Sequence, residues 1–414
     1  MILIPIIIFL IIITLFFSNK KFDALVFLIS TKSIVDAFWS YKIGPFTPVS
    51  AQGLLILILY LPLINFKIFK KSWTQTAIIL FIAYTISLIL SFPFKPVAFF
   101  ENLSLTLLLF LGFFLFPKYV NNNRDLNKIL FAFVICGIFP SIVSIYQDFT
   151  GQILTDQVRQ TSGDLIRNVG FYHDAFAPRF FSLLTIFSCT FYLIYNKFEY
   201  SGKKLLIVAQ LFLSSYSLYL VYSKAGILII IAWLVLFVSY SKLRFKLIIY
   251  FIPLFALYYL FFENQSVSSN IESLFSKELN YNSGALRDVR YTLAGRGWIW
   301  ERYWDDWQNN RNLFFQFFGN GISRPVHNEF FRIFLMNGFI GVFLFILVLL
   351  TMLYESFKLN SKDKTLALML LSMYLIDCTG LVPGQYYFYN IVLWGFLGIL
   401  FRVNMLNFNN KKFI

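Results

Sequence analysis

Long apolar runs recur along almost the whole chain, and they constrain its fold more than any other feature. Each run approaches the roughly 20 residues that an α-helix needs to cross the hydrocarbon core of a bilayer. Because a membrane-spanning helix satisfies its backbone hydrogen bonds internally, such runs predict an all-α polytopic membrane protein with 12–13 transmembrane helices. The candidate spans are residues 1–17, 24–40, 50–65, 74–92, 97–116, 129–149, 175–196, 204–221, 226–240, 246–262, 328–354, 365–380 and 386–403.

The composition excludes a soluble domain. Apolar residues make up 58% of the chain and charged residues only 13%, whereas about a quarter of the residues in a soluble protein are charged. A membrane β-barrel would show alternating segments of about 10 residues instead. The first run lacks a preceding basic region and a small-residue cleavage site, so we predict a retained span and not a signal peptide.

The least apolar span is 24–40, which Lys32 and Asp36 interrupt. Residues four apart lie on the same face of a helix, so we predict that these two side chains pair inside the bundle. The three cysteines, Cys136, Cys189 and Cys378, fall within apolar runs and show neither a disulfide framework nor metal-ligand spacing.

Lysine-rich connectors predict the orientation. Alternate connectors carry Lys or Arg close to the membrane, which places them in the cytoplasm. They are SNKKFD, NFKIFKKSW, PKYVNNNRDLNK, NKFEYSGKK, SKLRFK, ESFKLNSKDK and the tail NFNNKKFI. The net charge of +15 is therefore interpreted as a topology signal and not as a nucleic-acid site.

This topology divides the chain into three parts. We predict an N-terminal bundle at 1–262 with an external loop at 150–174, a large external loop at 263–327 with an interfacial helix, and C-terminal helices at 328–414. The predicted external side is rich in arginine, whose planar guanidinium suits bidentate binding of phosphate. The candidate ligands of an anionic substrate are Arg167, Arg179, Arg290, Arg296, Arg324 and Arg332. The alternative is that these arginines pair with external acidic residues.

His327 is the candidate catalytic base. It marks a helix start, with Asn328 and Glu329 suited to the first turn, and all three are candidate site residues. Neighbouring arginines favour the neutral imidazole, the form that accepts a proton. The alternative is a histidine that only makes a structural hydrogen bond.

Arg296 begins a stripe with Trp300, Trp304 and Trp307 at helical spacing. Trp300 and Trp304 are candidate platforms for sugar rings beside a phosphate held by Arg296. The alternative is an amphipathic helix lying on the membrane with its tryptophans among the lipid headgroups.

Two further external sites carry cations near the membrane boundary. Lys224 lies between two spans, and Arg179 lies a few residues inside a span, where ionisable groups are costly and often functional. Their alternative is snorkelling to the headgroups.

His173 and Asp174 form either an acid–base pair or a helix cap by Asp174. Asp305 and Asp306 are adjacent and point about 100° apart on a helix, which does not favour metal chelation, so we expect neither metal nor cofactor.

Several of these motifs resemble those of the O-antigen polymerase and O-antigen ligase superfamily. The signature "GxG…HN…GxxG" is similar to Gly319-Asn320-Gly321, His327-Asn328 and Asn337-Gly338-Phe339-Ile340-Gly341. Gly-Arg-x-x-x-Trp at Arg296 matches the family's loop arginine, and Ser223-Lys224 matches a Ser-Arg position with lysine in place of arginine. Residues 167–177 loosely resemble a "Gly-x-Phe…Ala" loop of the family, without its usual Pro-Asn. The motifs cover about a fifth of the chain.

The resemblance implies a membrane glycosyltransferase of the bacterial cytoplasmic membrane, with its active site facing the periplasm or exterior. A polymerase passes a growing glycan from undecaprenyl diphosphate to another lipid-linked repeat unit, whereas a ligase passes it to lipid A-core. The implied partners are the undecaprenyl-diphosphate-linked oligosaccharide, membrane lipids and a chain-length regulator protein. The Gly-Arg-x-x-x-Trp element favours the polymerase. A lipid-linked oligosaccharide flippase is a further alternative, but the charges gather on one side and no inverted repeat is seen.

Overall fold

The computed structural model describes residues 2–42, 44–64, 71–92, 95–154, 161–162, 165–196, 202–240, 269–270, 272–276, 280 and 296–409. The predicted span 246–262 and the predicted substrate ligand Arg290 lie outside these residues. The same holds for most of the predicted external loop before Arg296.

The described chain is almost entirely helical, which confirms the all-α fold. The helices of the first half are α1 Leu3–Phe17, α2 Lys21–Asp36, α3 Pro48–Tyr60, α4 Lys71–Ser91, α5 Pro96–Tyr119, α6 Asn123–Cys136, α7 Ile138–Thr150, α8 Phe176–Tyr195, α9 Gly202–Leu220 and α10 Lys224–Tyr240. Those of the second half are α11 Arg296–Asn310, α12 Leu313–Phe318, α13 Glu329–Phe357, α14 Ser361–Gly380 and α15 Tyr387–Asn409. Single 3₁₀ turns occupy Leu61–Leu63 and Pro383–Gln385, and a short antiparallel hairpin joins β1 Thr161–Ser162 to β2 Leu165–Ile166.

Two predicted spans differ from continuous helices, each at a glycine. The span 129–149 is divided at Gly137 into α6 and α7, and a Cβ at Gly137 would collide with the hydroxyl of Thr185 on α8. The span 328–354 is kinked inside α13 at Gly338, whose φ of 67° is left-handed. Glycine tolerates both the close approach and the positive φ because it has no Cβ.

Several helices are long and apolar enough to cross a membrane, as the sequence predicts. Five segments meet this description among the described residues: Trp73–Ser91, Phe99–Tyr119, Asn123–Thr150, Phe176–Tyr195 and Glu329–Phe357. Leu3–Phe17, Pro48–Leu63, Lys224–Ser239 and Tyr387–Arg402 are shorter apolar helices. Large apolar side chains are exposed on the outer face of α4, at Ile78, Ile79, Ile82, Ile86 and Ile89. A soluble protein rarely exposes such a continuous apolar face, so this face fits a lipid environment.

The chain forms two compact units. The first contains Met1–Gln52, Tyr119–Leu234 and Lys242–Ser276. In it α2 packs against α1 and α6, α8 packs against α6 and α9, and α7 packs against α9. Lys32 and Asp36 form the predicted ion pair, with both side chains buried. Hydroxyl groups also connect these helices. Ser141 on α7 contacts Ser214 on α9 at 3.3 Å, and Ser182 on α8 contacts Ser217 on α9 at 3.3 Å.

The second unit contains Gly53–Lys118, Val235–Ser241 and Lys277–Ile414. In it α13 packs against α4, α12 and α14, and α14 packs against α15. The α5–α15 interface is tight, because Phe113 and Trp394 stack with ring centroids 4.5 Å apart and a Cβ at Gly112 would lie 2.9 Å from the Asn390 carbonyl oxygen. Close packing of this kind is what holds apolar helices together where burial from water contributes little.

Candidate functional site

The helix predicted to begin the site is present as α11, with Arg296 as its first residue. Its tryptophan stripe packs against protein, which neither the sugar-platform nor the headgroup interpretation anticipated. Trp307 is only 4% exposed and packs on Phe334, and Trp304 stacks on Trp307 at 5.2 Å. Trp300 Nε1 donates to the Val326 carbonyl oxygen at 2.6 Å. The stripe therefore fixes α11 to the segment that carries His327, while Trp304 keeps part of its surface exposed.

The segment that carries His327 is held on its other side by two backbone stretches that cross at Gly319 and Gly338. Gly319 and Gly338 both have left-handed φ, at 71° and 67°. A Cβ on Gly319 would collide with the Met336 backbone, and a Cβ on Gly338 would collide with the Phe317 carbonyl. The amide of Gly321 donates to the Met336 carbonyl oxygen at 2.9 Å, which satisfies a group freed by the kink. These glycines of the "GxG" and "GxxG" motifs therefore have a packing role.

Arg311 also contacts this part of the structure. It is one of the arginines on the predicted external side but is not among the candidate ligands. Its Nη1 donates to the Leu335 carbonyl oxygen at 2.5 Å, next to the kink. Burial lowers the pKa of Arg311, and the positive charge of Arg324 lowers it further against the opposing effect of Asp306. No local pattern marks this residue, because its partner lies 24 positions away.

His327 stands at the last position before the α13 cap. Its side chain is exposed, and its φ of 50° puts a non-glycine residue in the left-handed region. The predicted helix start is confirmed, and Asn328 is its N-cap, because Asn328 Oδ1 accepts from the Phe331 amide at 2.9 Å. Asn328 Nδ2 donates to the Thr379 carbonyl oxygen at 3.3 Å, which anchors this turn to the end of α14.

Glu329 and Arg332 were predicted to contact substrate, and the structure places them in a buried ion pair. Glu329 is 1% exposed and Arg332 is 6% exposed. Arg332 Nε donates to Glu329 Oε2 at 3.0 Å and its Nη2 donates to Oε1 at 2.5 Å. A Cβ at Gly384 would collide with the same carboxylate, so the 3₁₀ turn lies directly over the pair. In this arrangement each side chain binds the other.

Arg296 and Arg324 have no carboxylate partner among the residues that the structure describes. Burial lowers the pKa of Arg296, and a Cβ at Gly380 would lie 2.9 Å from its Nη1. Arg324 has a buried Nε without a hydrogen bond to any described residue, and its Cζ lies 5.8 Å from the Tyr303 ring centroid. An arginine remains protonated at neutral pH even when burial lowers its pKa, so the positive charge of Arg296 stays available to an anion.

The remaining predicted ligands lie in the first unit. Arg179 is 2% exposed, with its Nη1 3.4 Å from Ser223 Oγ and its Cζ 5.4 Å from the Phe176 ring centroid. Lys224 Nζ lies 5.1 Å from the Phe275 ring centroid. Arg167 is half-buried. The structure therefore brings Arg179 close to Ser223, the residue next to Lys224.

The geometry at His173 and Asp174 bears on both alternatives. Asp174 Oδ1 accepts from the Phe176 amide at 2.9 Å, but the N-cap of α8 is Ala175, which has no side-chain cap hydrogen bond. His173 Nδ1 lies 3.7 Å from the other oxygen, with both side chains exposed. Elsewhere, Asp306 accepts from Asn310 Nδ2 at 2.9 Å. Within the described ranges, no three His, Cys, Asp or Glu side chains come together as metal ligands would.

Comparison with known proteins adds no family to this geometry. No protein-family model and no curated protein sequence matches the chain.

Proposed function

We propose that this protein is a metal-independent membrane glycosyltransferase that polymerises a surface polysaccharide. The observation that supports it most is that Arg296 and Arg324, on the two elements next to His327, have no carboxylate partner among the residues that the structure describes. Arg324 lies three residues before His327 in the chain. Arg296 lies against Gly380. The preceding residue, Thr379, accepts a hydrogen bond from Asn328.

The chemistry assigns separate tasks to the two residue types. His327 takes the proton from the acceptor hydroxyl, whose oxygen forms a bond to the anomeric carbon of the donor glycan. The bond from that carbon to the diphosphate oxygen breaks, and its electron pair leaves with the diphosphate. Arg296 and Arg324 stabilise the negative charge that develops on this leaving group. The proton ends on the imidazole, so the step is balanced without a metal.

The polymerase is favoured over the ligase by the Gly-Arg-x-x-x-Trp element, in which Arg296 heads α11 and Trp300 anchors it through Val326. The donor is proposed to be an undecaprenyl-diphosphate-linked oligosaccharide, and the acceptor a second lipid-linked repeat unit. The reaction is proposed to take place at the external face of the bacterial cytoplasmic membrane, because the lysine-rich connectors are assigned to the cytoplasm.

The deciding experiment incubates the purified protein in nanodiscs with a defined lipid-linked repeat unit and resolves the products by gel electrophoresis. A ladder that is absent with His327→Ala and that persists in excess EDTA is the expected result. Transfer that occurs only after lipid A-core is added would show that the protein acts as a ligase and not as a polymerase. No transfer to either acceptor would overturn the proposal.

A further inference from the structure

The connector between the last two helices contacts the site at several points. It runs from Thr379 to Gln385, across the end of α14 and the 3₁₀ turn. The Thr379 carbonyl accepts from Asn328 Nδ2 at 3.3 Å, and Gln385 Nε2 donates to Ser323 Oγ at 2.8 Å. The segment 323–328, which carries Arg324 and His327, is therefore bound to the connector near both of its ends.

Gly380 lies in this connector, directly against Arg296. A Cβ built on Gly380 would stand 2.9 Å from Arg296 Nη1 and 3.8 Å from its Cζ, and beyond its own helix backbone and chain neighbours no other described atom lies within 4 Å of it. A real Cβ does not approach another heavy atom that closely, so the guanidinium occupies space that exists only because residue 380 has no side chain.

Arg296 has little else to fix its position. Among the described residues it has neither an ion-pair partner nor a hydrogen-bond partner, and burial lowers its pKa. Its guanidinium is therefore placed by van der Waals contact, and the free space at Gly380 decides where it lies. Because the guanidinium is the end of a flexible side chain, added bulk at Gly380 would move it without disturbing any backbone.

We propose that Gly380 is a positioning residue that leaves room for the Arg296 guanidinium, so that a single methyl group there displaces the arginine and weakens the site while the fold survives. This inference rests on the proposed function for the role of Arg296. It concerns a connector that no motif of the site includes.

The test is a double-mutant cycle with Gly380→Ala, Arg296→Ala and the combined variant, in the nanodisc polymerisation assay. We expect Gly380→Ala to slow transfer about tenfold or more, the effect of losing one charge-assisted hydrogen bond. The combined variant should be no slower than Arg296→Ala alone, because Gly380 acts through Arg296. Gly202→Ala is the matched control, since a Cβ there meets no described atom within 4 Å.

A second measurement does not depend on activity. Phenylglyoxal modifies accessible arginines, and mass spectrometry compares Arg296 with the exposed Arg302 on the same helix. The reactivity of Arg296 relative to Arg302 should change at least twofold in Gly380→Ala and stay constant in Gly202→Ala. If the protein transfers no glycan, the proposed function fails and this measurement alone decides the positioning role.

Three results with folded variants would overturn the inference. These are a wild-type transfer rate in Gly380→Ala, a loss of rate in Gly380→Ala that multiplies with the loss in Arg296→Ala, and an unchanged reactivity of Arg296. If Gly380→Ala does not fold, the combined variant should fold because the colliding side chain is gone. Failure of both to fold would also count against the contact.

Discussion

Glu329 and Arg332, one helical turn apart at the start of α13, form a buried ion pair with two hydrogen bonds of 3.0 and 2.5 Å. Both lie directly after the His327 turn, and the 3₁₀ turn at Gly384 covers them. Two charges removed from solvent are tolerated here because each satisfies the other. The pair therefore stabilises the first turn of α13, directly after His327.

Removing one partner should be far more damaging than removing both. Arg332→Met leaves the Glu329 carboxylate buried without its partner, which costs about 3–5 kcal/mol. The combined Glu329→Leu and Arg332→Met variant should recover most of that loss, as measured by denaturant unfolding in detergent. Lys358→Met is the control, because Lys358 pairs with Glu355 on the exposed surface and its loss should change little. Equal losses for Arg332→Met and the control would contradict the interpretation.

Substitutions of His327 should separate catalysis from backbone strain. His327→Ala and His327→Gln should each slow transfer about 10²–10⁴-fold, because neither side chain takes the acceptor proton. The free energy of unfolding of His327→Gly should exceed that of the wild type by about 1 kcal/mol, because glycine adopts the left-handed φ of 50° without strain. Thermal unfolding and the gel assay measure the two effects. An active His327→Gln protein would remove His327 from catalysis, and the burial of Glu329 would leave that residue a poor replacement.

Arg296→Lys should keep the charge and lose the bidentate geometry. The expected cost is about 1.5–3 kcal/mol, or about ten- to a hundredfold in the transfer rate. Arg302→Lys on the exposed side of α11 is the control and should transfer at the wild-type rate. Equal rates for the two variants would show that Arg296 acts only as a point charge or not at all.

Gly338 should not accept alanine. Its φ of 67° would place a Cβ in a conformation that costs about 1–2 kcal/mol, and the Cβ would also collide with the Phe317 carbonyl. Because that atom belongs to the backbone, the crossing of α12 with α13 must open. Gly338→Ala should therefore lower the unfolding temperature, measured beside Gly202→Ala, which should not. A Gly338→Ala protein as stable as the control would show that the kink is dispensable.

The orientation is open to cysteine labelling. The native cysteines Cys136, Cys189 and Cys378 are buried, so their background reaction should be low. Gln308→Cys on α11 and Lys203→Cys at the start of α9 place thiols at exposed positions. On intact spheroplasts an impermeant maleimide should label position 308 and not position 203. The opposite pattern would invert the predicted topology and the location of the proposed reaction.

The sequence by itself determined what depends on local spacing. Apolar runs predicted most helices to within a few residues, because the length of a span is imposed by the bilayer. Spacing of four residues predicted the Lys32–Asp36 pair, and residue type predicted the helix start at Asn328. The helical stripe from Arg296 predicted α11. Each of these interactions lies within a few turns of one helix, so its information is contained in neighbouring residues.

Only the tertiary structure decided what each of these residues touches. It paired Arg332 with Glu329, packed Trp307 on Phe334, and left Arg296 against Gly380 without a carboxylate partner among the described residues. It also crossed the backbones at Gly319 and Gly338, which broke a predicted continuous span. These contacts depend on how separate helices pack, and a close approach between two helices at a glycine leaves no periodic pattern in either of their sequences.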